Sequence, residues 1–135
     1  MASRGVDGMI VANTTLARPS TLRELSRAKE QGGLSGRPLF RLSTRMVAET
    51  YVRAEGAFPL IGVGGIDSGG AALTKIRAGA SLIQLYSSLV YKGIGLVDDI
   101  KRDLSSTLLR TGRDSLSEIV GADAATITAE DWPVQ

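Results

Sequence analysis

The segment Gly62-Val63-Gly64-Gly65-Ile66-Asp67-Ser68 has the residue types of an anion site. It follows the apolar run Phe58-Pro59-Leu60-Ile61 and precedes Ala71-Ala72-Leu73-Thr74-Lys75-Ile76, which reads as a helix. A buried strand therefore ends in paired glycines and passes into a helix. Glycine lacks a Cβ, so a ligand can approach its backbone closely. The N–H groups of such a turn, with a helix N-terminus behind them, favour a phosphate. The same residues would also make a plain tight turn, and the segment alone leaves both readings open.

Three further segments carry groups of this kind. Asn13-Thr14-Thr15 closes an apolar strand and offers an amide, with donors and an acceptor in one plane, beside two hydroxyls. The plainer reading is that Asn13 caps the turn after the strand. Gly32-Gly33-Leu34-Ser35-Gly36-Arg37-Pro38 permits tight backbone geometry near a flat ligand, and Arg37 either meets an anion or is a solvated charge. Tyr86-Ser87-Ser88 follows another apolar run, and its N–H groups and hydroxyls suit a second side of a phosphate site begun at Gly64-Gly65.

Composition narrows the chemistry. The chain has 135 residues, 43% hydrophobic and 22% charged, the balance of a globular domain. It has neither Cys nor His, which excludes disulfides, thiolate chemistry, zinc sites and histidine acid–base catalysis from its own residues. A net charge of +2, spread along the chain, gives no indication of nucleic acid binding. No apolar run approaches the roughly 18 residues of a membrane span. Met1-Ala2-Ser3-Arg4-Gly5 leads directly into a strand pattern, without the form of a signal peptide.

The elements that must position these groups are legible as apolar runs and amphipathic stretches. Residues 8–12, 60–63 and 81–86 read as buried parallel strands, because they lack polar alternation. The pattern predicts a helix from a Ser43 cap to Ala54, with Met46, Val47, Thr50, Tyr51 and Ala54 on one face and Gly56 beyond its end. Ser68 caps a second helix, closed by Gly79. A third carries Val97, Ile100, Leu104 and Leu108, and Gly112 ends it. Ser115-Leu116-Ser117-Glu118 has the form of a capping box for a short tail helix stopped at Gly121, and residues 122–135 are weakly patterned. The connection from Thr15 to Leu42 is long enough for a lid or binding loop, with Thr21 to Lys29 as a possible helix. Strands alternating with helices make an α/β fold with a parallel sheet. Three strands are few for such a sheet, so the order reads as the last three βα units of a (β/α)8 TIM barrel, with a small open three-layer sheet as the alternative. Residues 1–112 would be the barrel portion and 113–135 a C-terminal tail with a short helix.

Four motifs now stand in order: Asp7-Gly8-Met9-Ile10-Val11-Ala12-Asn13-Thr14-Thr15, Gly32-Gly33-Leu34-Ser35-Gly36-Arg37-Pro38-Leu39, Ile61-Gly62-Val63-Gly64-Gly65-Ile66 and Gln84-Leu85-Tyr86-Ser87. In order and spacing they resemble the dihydroorotate dehydrogenase family, over the chain to about residue 112. Arg37-Pro38 and Tyr86-Ser87 look like the class 2, quinone-dependent type. The resemblance implies oxidation of dihydroorotate to orotate in pyrimidine biosynthesis, with FMN as cofactor and electrons passed to a membrane quinone. It implies that Asn13 and Thr14 hold the orotate ring, that Gly36 meets FMN through its backbone, and that Gly65, Tyr86 and Ser87 form the FMN phosphate site. It also implies a peripheral enzyme on the cytoplasmic side of the membrane.

Departures from the pattern matter equally. Ala12 stands where the family often has Thr or Ser, so a hydroxyl contact to the flavin is lost there. The family's catalytic serine, its flavin-side lysine and its N-terminal helical pair match nothing in this sequence, and Ser35, Ser68 and Ser87 lie outside the serine's motif. No catalytic residue is therefore assigned, and the chain reads as a C-terminal portion that is inactive alone. Two other readings remain: a non-catalytic half-barrel that self-associates through open sheet edges, and another FMN or phosphate-binding barrel resembling dihydropyrimidine dehydrogenase.

Overall fold

The computed structural model describes residues 5–20, 22–24 and 26–130. Three strands, β1 (Met9–Val11), β2 (Leu60–Val63) and β3 (Leu82–Gln84), form one parallel sheet in chain order. Helices α1 (Phe40–Ala54) and α2 (Gly69–Arg77) make the two crossovers. Two helices follow the last strand, the short α3 (Ser87–Lys92) and the long α4 (Gly95–Thr111), and the described chain ends on α5 (Ala124–Ala129).

Register decides what each face of the sheet does. Ile10 pairs with Ile61 and Ile61 with Leu82, whereas Val11 pairs with Gly62 and Gly62 with Ile83. Paired residues share a face, because side chains alternate along a strand. Val11, Leu60 and Ile83 thus face the helices, where Val47 and Ala48 of α1, Ala78, Ala80 and the α5 residues Ala124 and Ile127 close one core cluster. A second cluster joins Ala72 and Ile76 of α2 to Leu96, Ile100 and Leu104 of α4, with Ile66 and Ile119. Alanines at 72, 78 and 80 are fully buried, which lets α2 and the turn after it lie close to the sheet. Each buried Leu, Ile or Val contributes about 1.5–3 kcal/mol relative to exposure. The opposite face carries no such layer among the described residues: Ile10 is 56% and Leu82 60% exposed.

Several expected boundaries shift. The first helix begins at Phe40, behind a 3-10 turn at Arg37–Leu39 that Pro38 fits by its fixed φ. Ser43 is therefore a buried interior residue and not a cap. The inward face of α1 is Ser43, Thr44, Val47 and Ala48, with Met46 exposed. On α4 the buried stripe starts at Leu96 and leaves Val97 partly exposed. The third strand stops at Gln84, because α3 begins three residues later.

Of the helix expected from Thr21 to Lys29, only a 3-10 turn at Arg27–Lys29 forms, while Thr21 and Leu25 lie outside the described residues. The described residues of this segment contribute to neither core cluster. It is held instead by Arg18, whose guanidinium donates to the carbonyls of Ala28 (2.9 Å), Glu30 (3.0 Å) and Gly32 (2.7 Å).

Ser68 caps α2, accepting from the Ala71 N–H at 3.2 Å, and Gly112 ends α4 in the left-handed region. The Ser115–Glu118 capping box is present but opens a 3-10 turn, Leu116–Ile119, in place of an α-helix. Beyond it the weakly patterned tail folds into α5 and is tied to α2. Gly121 N–H donates to Ile76 O at 3.1 Å, and Arg77 donates to both oxygens of Asp123 at 2.6 Å. That pairing raises the Arg77 guanidinium above its ordinary value and holds the Asp123 carboxyl below its own.

Candidate functional site

All four motifs meet in one cavity of about 1100 Å³ at the carboxyl ends of the strands. Asn13 and Thr14, Ser35 to Arg37, Gly64 and Gly65, and Tyr86 to Ser88 all line it. Ile10, Ala12 and Val63 give it an apolar floor, and Val90 and Tyr91 of α3 an apolar wall. An apolar cleft with a few convergent polar groups is the usual form of a small-molecule site.

β1 delivers Asn13 to the rim. Its Oδ1 accepts the Thr14 N–H at 2.7 Å, so the turn-capping role holds. The same bond fixes the amide plane, and Nδ2 has no partner among the described residues and lines the cavity. Thr14 packs against Gly33, where a Cβ would come within 1.8 Å of Thr14 Oγ1. Only glycine fits that approach. Thr15 and Leu34 then pair in an antiparallel bridge, with N–H to O distances of 3.2 and 2.7 Å. The long connection is thus folded back over the site, which brings Ser35 to the third strand's loop, where Ser87 Oγ donates to Ser35 Oγ at 2.9 Å.

The glycine turn is the most constrained part. Gly64 and Gly65 have φ of 102° and 72°, in the left-handed region where L side chains are strained. A Cβ on Gly65 would also lie 2.6 Å from Phe40 Cβ. The N–H groups of Gly65, Ser87 and Ser88 find no acceptor among the described residues, whereas that of Gly64 lies in the β2–β3 ladder beside Gln84. Buried or half-buried N–H groups are normally paired, so these three are available to a ligand in the cavity.

Arg37 takes a role that the sequence left open between anion contact and solvated charge. Its Nε and Nη2 donate to Asp67 Oδ2 at 2.9 and 2.5 Å. Lys92 Nζ donates to the Asp67 carbonyl at 2.7 Å. The glycine turn is therefore held by the long loop on one side and by α3 on the other.

Sequence reasoning missed Lys92 as a partner of the turn, read Ser43 only as a helix cap, and gave Lys75 no role. Lys75 is fully buried. Its Nζ donates to Ser43 Oγ at 2.6 Å and lies over the Phe40 ring, 5.2 Å from the centroid. Burial pulls its ammonium down from 10.5 to about 7. A lysine three residues after Ala72 and one before Ile76, on the apolar stripe of α2, was the available signal.

A parallel α/β sheet with its cavity at the carboxyl ends of the strands is the arrangement of (β/α)8 barrels and of open α/β sheets alike. The comparisons specify which. The chain belongs to the dihydroorotate dehydrogenase family, whose family model matches residues 1–108. A protein of Bradyrhizobium sp. strain BTAi1 named dihydroorotate dehydrogenase (quinone) is 91% identical over 132 residues, covering 98% of this chain and 36% of that protein. A protein of the same name from Bradyrhizobium diazoefficiens is 89% identical over 131 residues, 97% of this chain and 36% of its own length. In three dimensions the chain is similar to the ligand-free DHODH from Eimeria tenella, with a TM-score of 0.82 and 40% identity over 87% of this chain and 32% of that one. The chain thus spans about a third of the length of these relatives.

Proposed function

We propose that this chain supplies the phosphate-binding side and part of the substrate side of a quinone-dependent dihydroorotate dehydrogenase. The observation that carries the reading is the convergence of all four motifs, with their free N–H groups, in one cavity. The cavity fits FMN: its apolar floor suits a flat ring, and the unpaired N–H groups of two separate turns suit a phosphate. FMN, when bound, supplies the two-electron acceptor for oxidation of dihydroorotate to orotate.

This chain's residues bind and orient. Gly65, with Tyr86 and Ser87 through their main chain, holds the phosphate. Gly36 borders the flavin through its backbone. Asn13 presents a fixed amide to the substrate ring, and Thr14 adds a hydroxyl beside it. Asp67, the one carboxylate lining the cavity among the described residues, is held by Arg37, and we assign no residue here as general base. Residues 1–112 then act as the barrel portion and residues 113–135 as a tail, whose described part clasps α2. Transfer of electrons to quinone, and peripheral attachment to the cytoplasmic side of a membrane, fall to the rest of the enzyme. No helix among the described residues is long and apolar enough to cross a membrane.

The test is co-expression of this chain with the remaining two-thirds of the Bradyrhizobium sp. relative. The expected result is a yellow complex that turns over dihydroorotate with a quinone, beside a colourless, inactive chain alone. Full turnover by the chain alone, or an assembled complex without flavin, overturns the reading.

The uncovered face at Ile10 and Leu82, and the free edges of β1 and β3, favour a second reading in which the isolated chain pairs with another copy. Sedimentation decides it: concentration-dependent association supports that reading, and a stable monomer counts against it.

A further inference from the structure

Lys75 lies directly behind the glycine turn, and the function just proposed gives it no role. Its Nζ donates to Ser43 Oγ at 2.6 Å and reaches the Phe40 carbonyl at 3.5 Å. Ser43 Oγ lies 3.0 Å from the Gly64 carbonyl, 2.9 Å from that of Leu39 and 3.1 Å from that of Phe40. An ammonium has three donors and no lone pair. Ser43 must therefore accept from Lys75 and turn its own proton towards a carbonyl. Of the three in reach, Gly64 belongs to the turn. The Gly64–Gly65 peptide is trans, so its C=O and N–H point in opposite directions. Holding the Gly64 oxygen from below aims the Gly65 N–H up into the cavity.

We propose that Lys75 and Ser43 are a positioning pair that fixes the Gly64–Gly65 peptide and thereby makes the site select a phosphorylated flavin over the same flavin without its phosphate. This rests on the reading of the turn as the phosphate site. The charge of Lys75 also meets no acid among the described residues. The groups around it are the Ser43 hydroxyl and the Phe40 carbonyl and ring from α1, and the Gly62 backbone from β2. The nearest acid on the α1 sequence, Glu49, is engaged by Arg45 and Arg53. A phosphate on the far side of the turn supplies the counter-charge, and burial makes that attraction stronger than it would be in water. A neutral amine, by contrast, can accept from Ser43 and release Gly64.

The experiment uses a complete enzyme in which this chain replaces the matching third of the Bradyrhizobium sp. relative. Dissociation constants for FMN and riboflavin are measured by flavin fluorescence on the deflavinated protein. Lys75→Met and Ser43→Ala are each expected to lower the FMN-over-riboflavin preference about tenfold while changing riboflavin affinity less than twofold. Ser43→Ala removes a single atom, so the test stands even where Lys75→Met fails to fold. Equal loss of both flavins, or an unchanged preference in a folded variant, reduces the pair to a packing role and overturns the proposal. A parent enzyme that binds both flavins equally refutes the phosphate reading itself, and the proposal with it.

Discussion

The Arg37 guanidinium meets Asp67 through both Nε and Nη2, joining the glycine-rich loop to the glycine turn across 30 residues of sequence. Arg37 is 79% exposed at its side chain and Asp67 21%, so the pair is screened by solvent and contributes about 0–1 kcal/mol to stability. Its value is geometric. Arg37→Ala is expected to leave the melting temperature of the chain nearly unchanged and to weaken FMN binding several-fold in the complete enzyme. Differential scanning fluorimetry and a flavin titration on the same samples check both halves; a large loss of stability contradicts the assignment.

Gly65→Ala places a Cβ at a positive φ and against Phe40. The strained backbone alone costs about 1–3 kcal/mol. We expect at least that loss in a urea titration, together with loss of FMN binding. Gly70→Ala at the start of α2, where a Cβ meets nothing within 4 Å, is the control and should be tolerated.

Lys75 makes stability depend on pH with a definite sign. Its folded value of about 7 lies below its ordinary 10.5, so between those limits the unfolded chain binds more protons than the folded one. Stability from this group therefore rises with pH from about 7 towards 10.5, at no more than about 1.4 kcal/mol per pH unit, and is flat below about 6. Urea midpoints of the parent and of Lys75→Met, compared from pH 6 to pH 9, should diverge above pH 7 in favour of the parent. Parallel curves across that range mean that Lys75 keeps its proton and refute the lowered value.

Leu104 anchors α4 against α2 in the second core cluster. Leu104→Ala is expected to cost about 2–5 kcal/mol, the range for a large-to-small change in a packed core. Leu109→Ala, on the exposed side of the same helix, should change the urea midpoint little.

The parts of the fold that repeat a local rule were legible in the sequence. Apolar runs located β1 and β2, Ser68 and Gly112 marked helix ends, and the glycine motifs fell together in the cavity. The parts that depend on a partner distant in sequence were not legible. Ser43 looks like a cap because serine caps helices, yet its hydroxyl is taken by Lys75, 32 residues away. Lys75 looks like a surface charge because lysine is seldom buried. The pairing of Arg37 with Asp67 could not be separated from anion binding without knowing where the loop folds. α5 was hidden because its face is short and alanine-rich, and only packing on α1 gives it a reason to form.

Arg18 reads only main-chain oxygens: its guanidinium closes the segment from Ala28 to Gly32 without touching a side chain there. Every amino acid offers the same carbonyl. The segment it clasps is consequently free to change its residues while its length and path stay fixed, so substitutions between Ala28 and Gln31 should pass unnoticed where a one-residue insertion would not. A rim built this way lets the outer surface of the site drift in charge and shape between homologous enzymes while the inner surface, set by Thr14 against Gly33, keeps its dimensions.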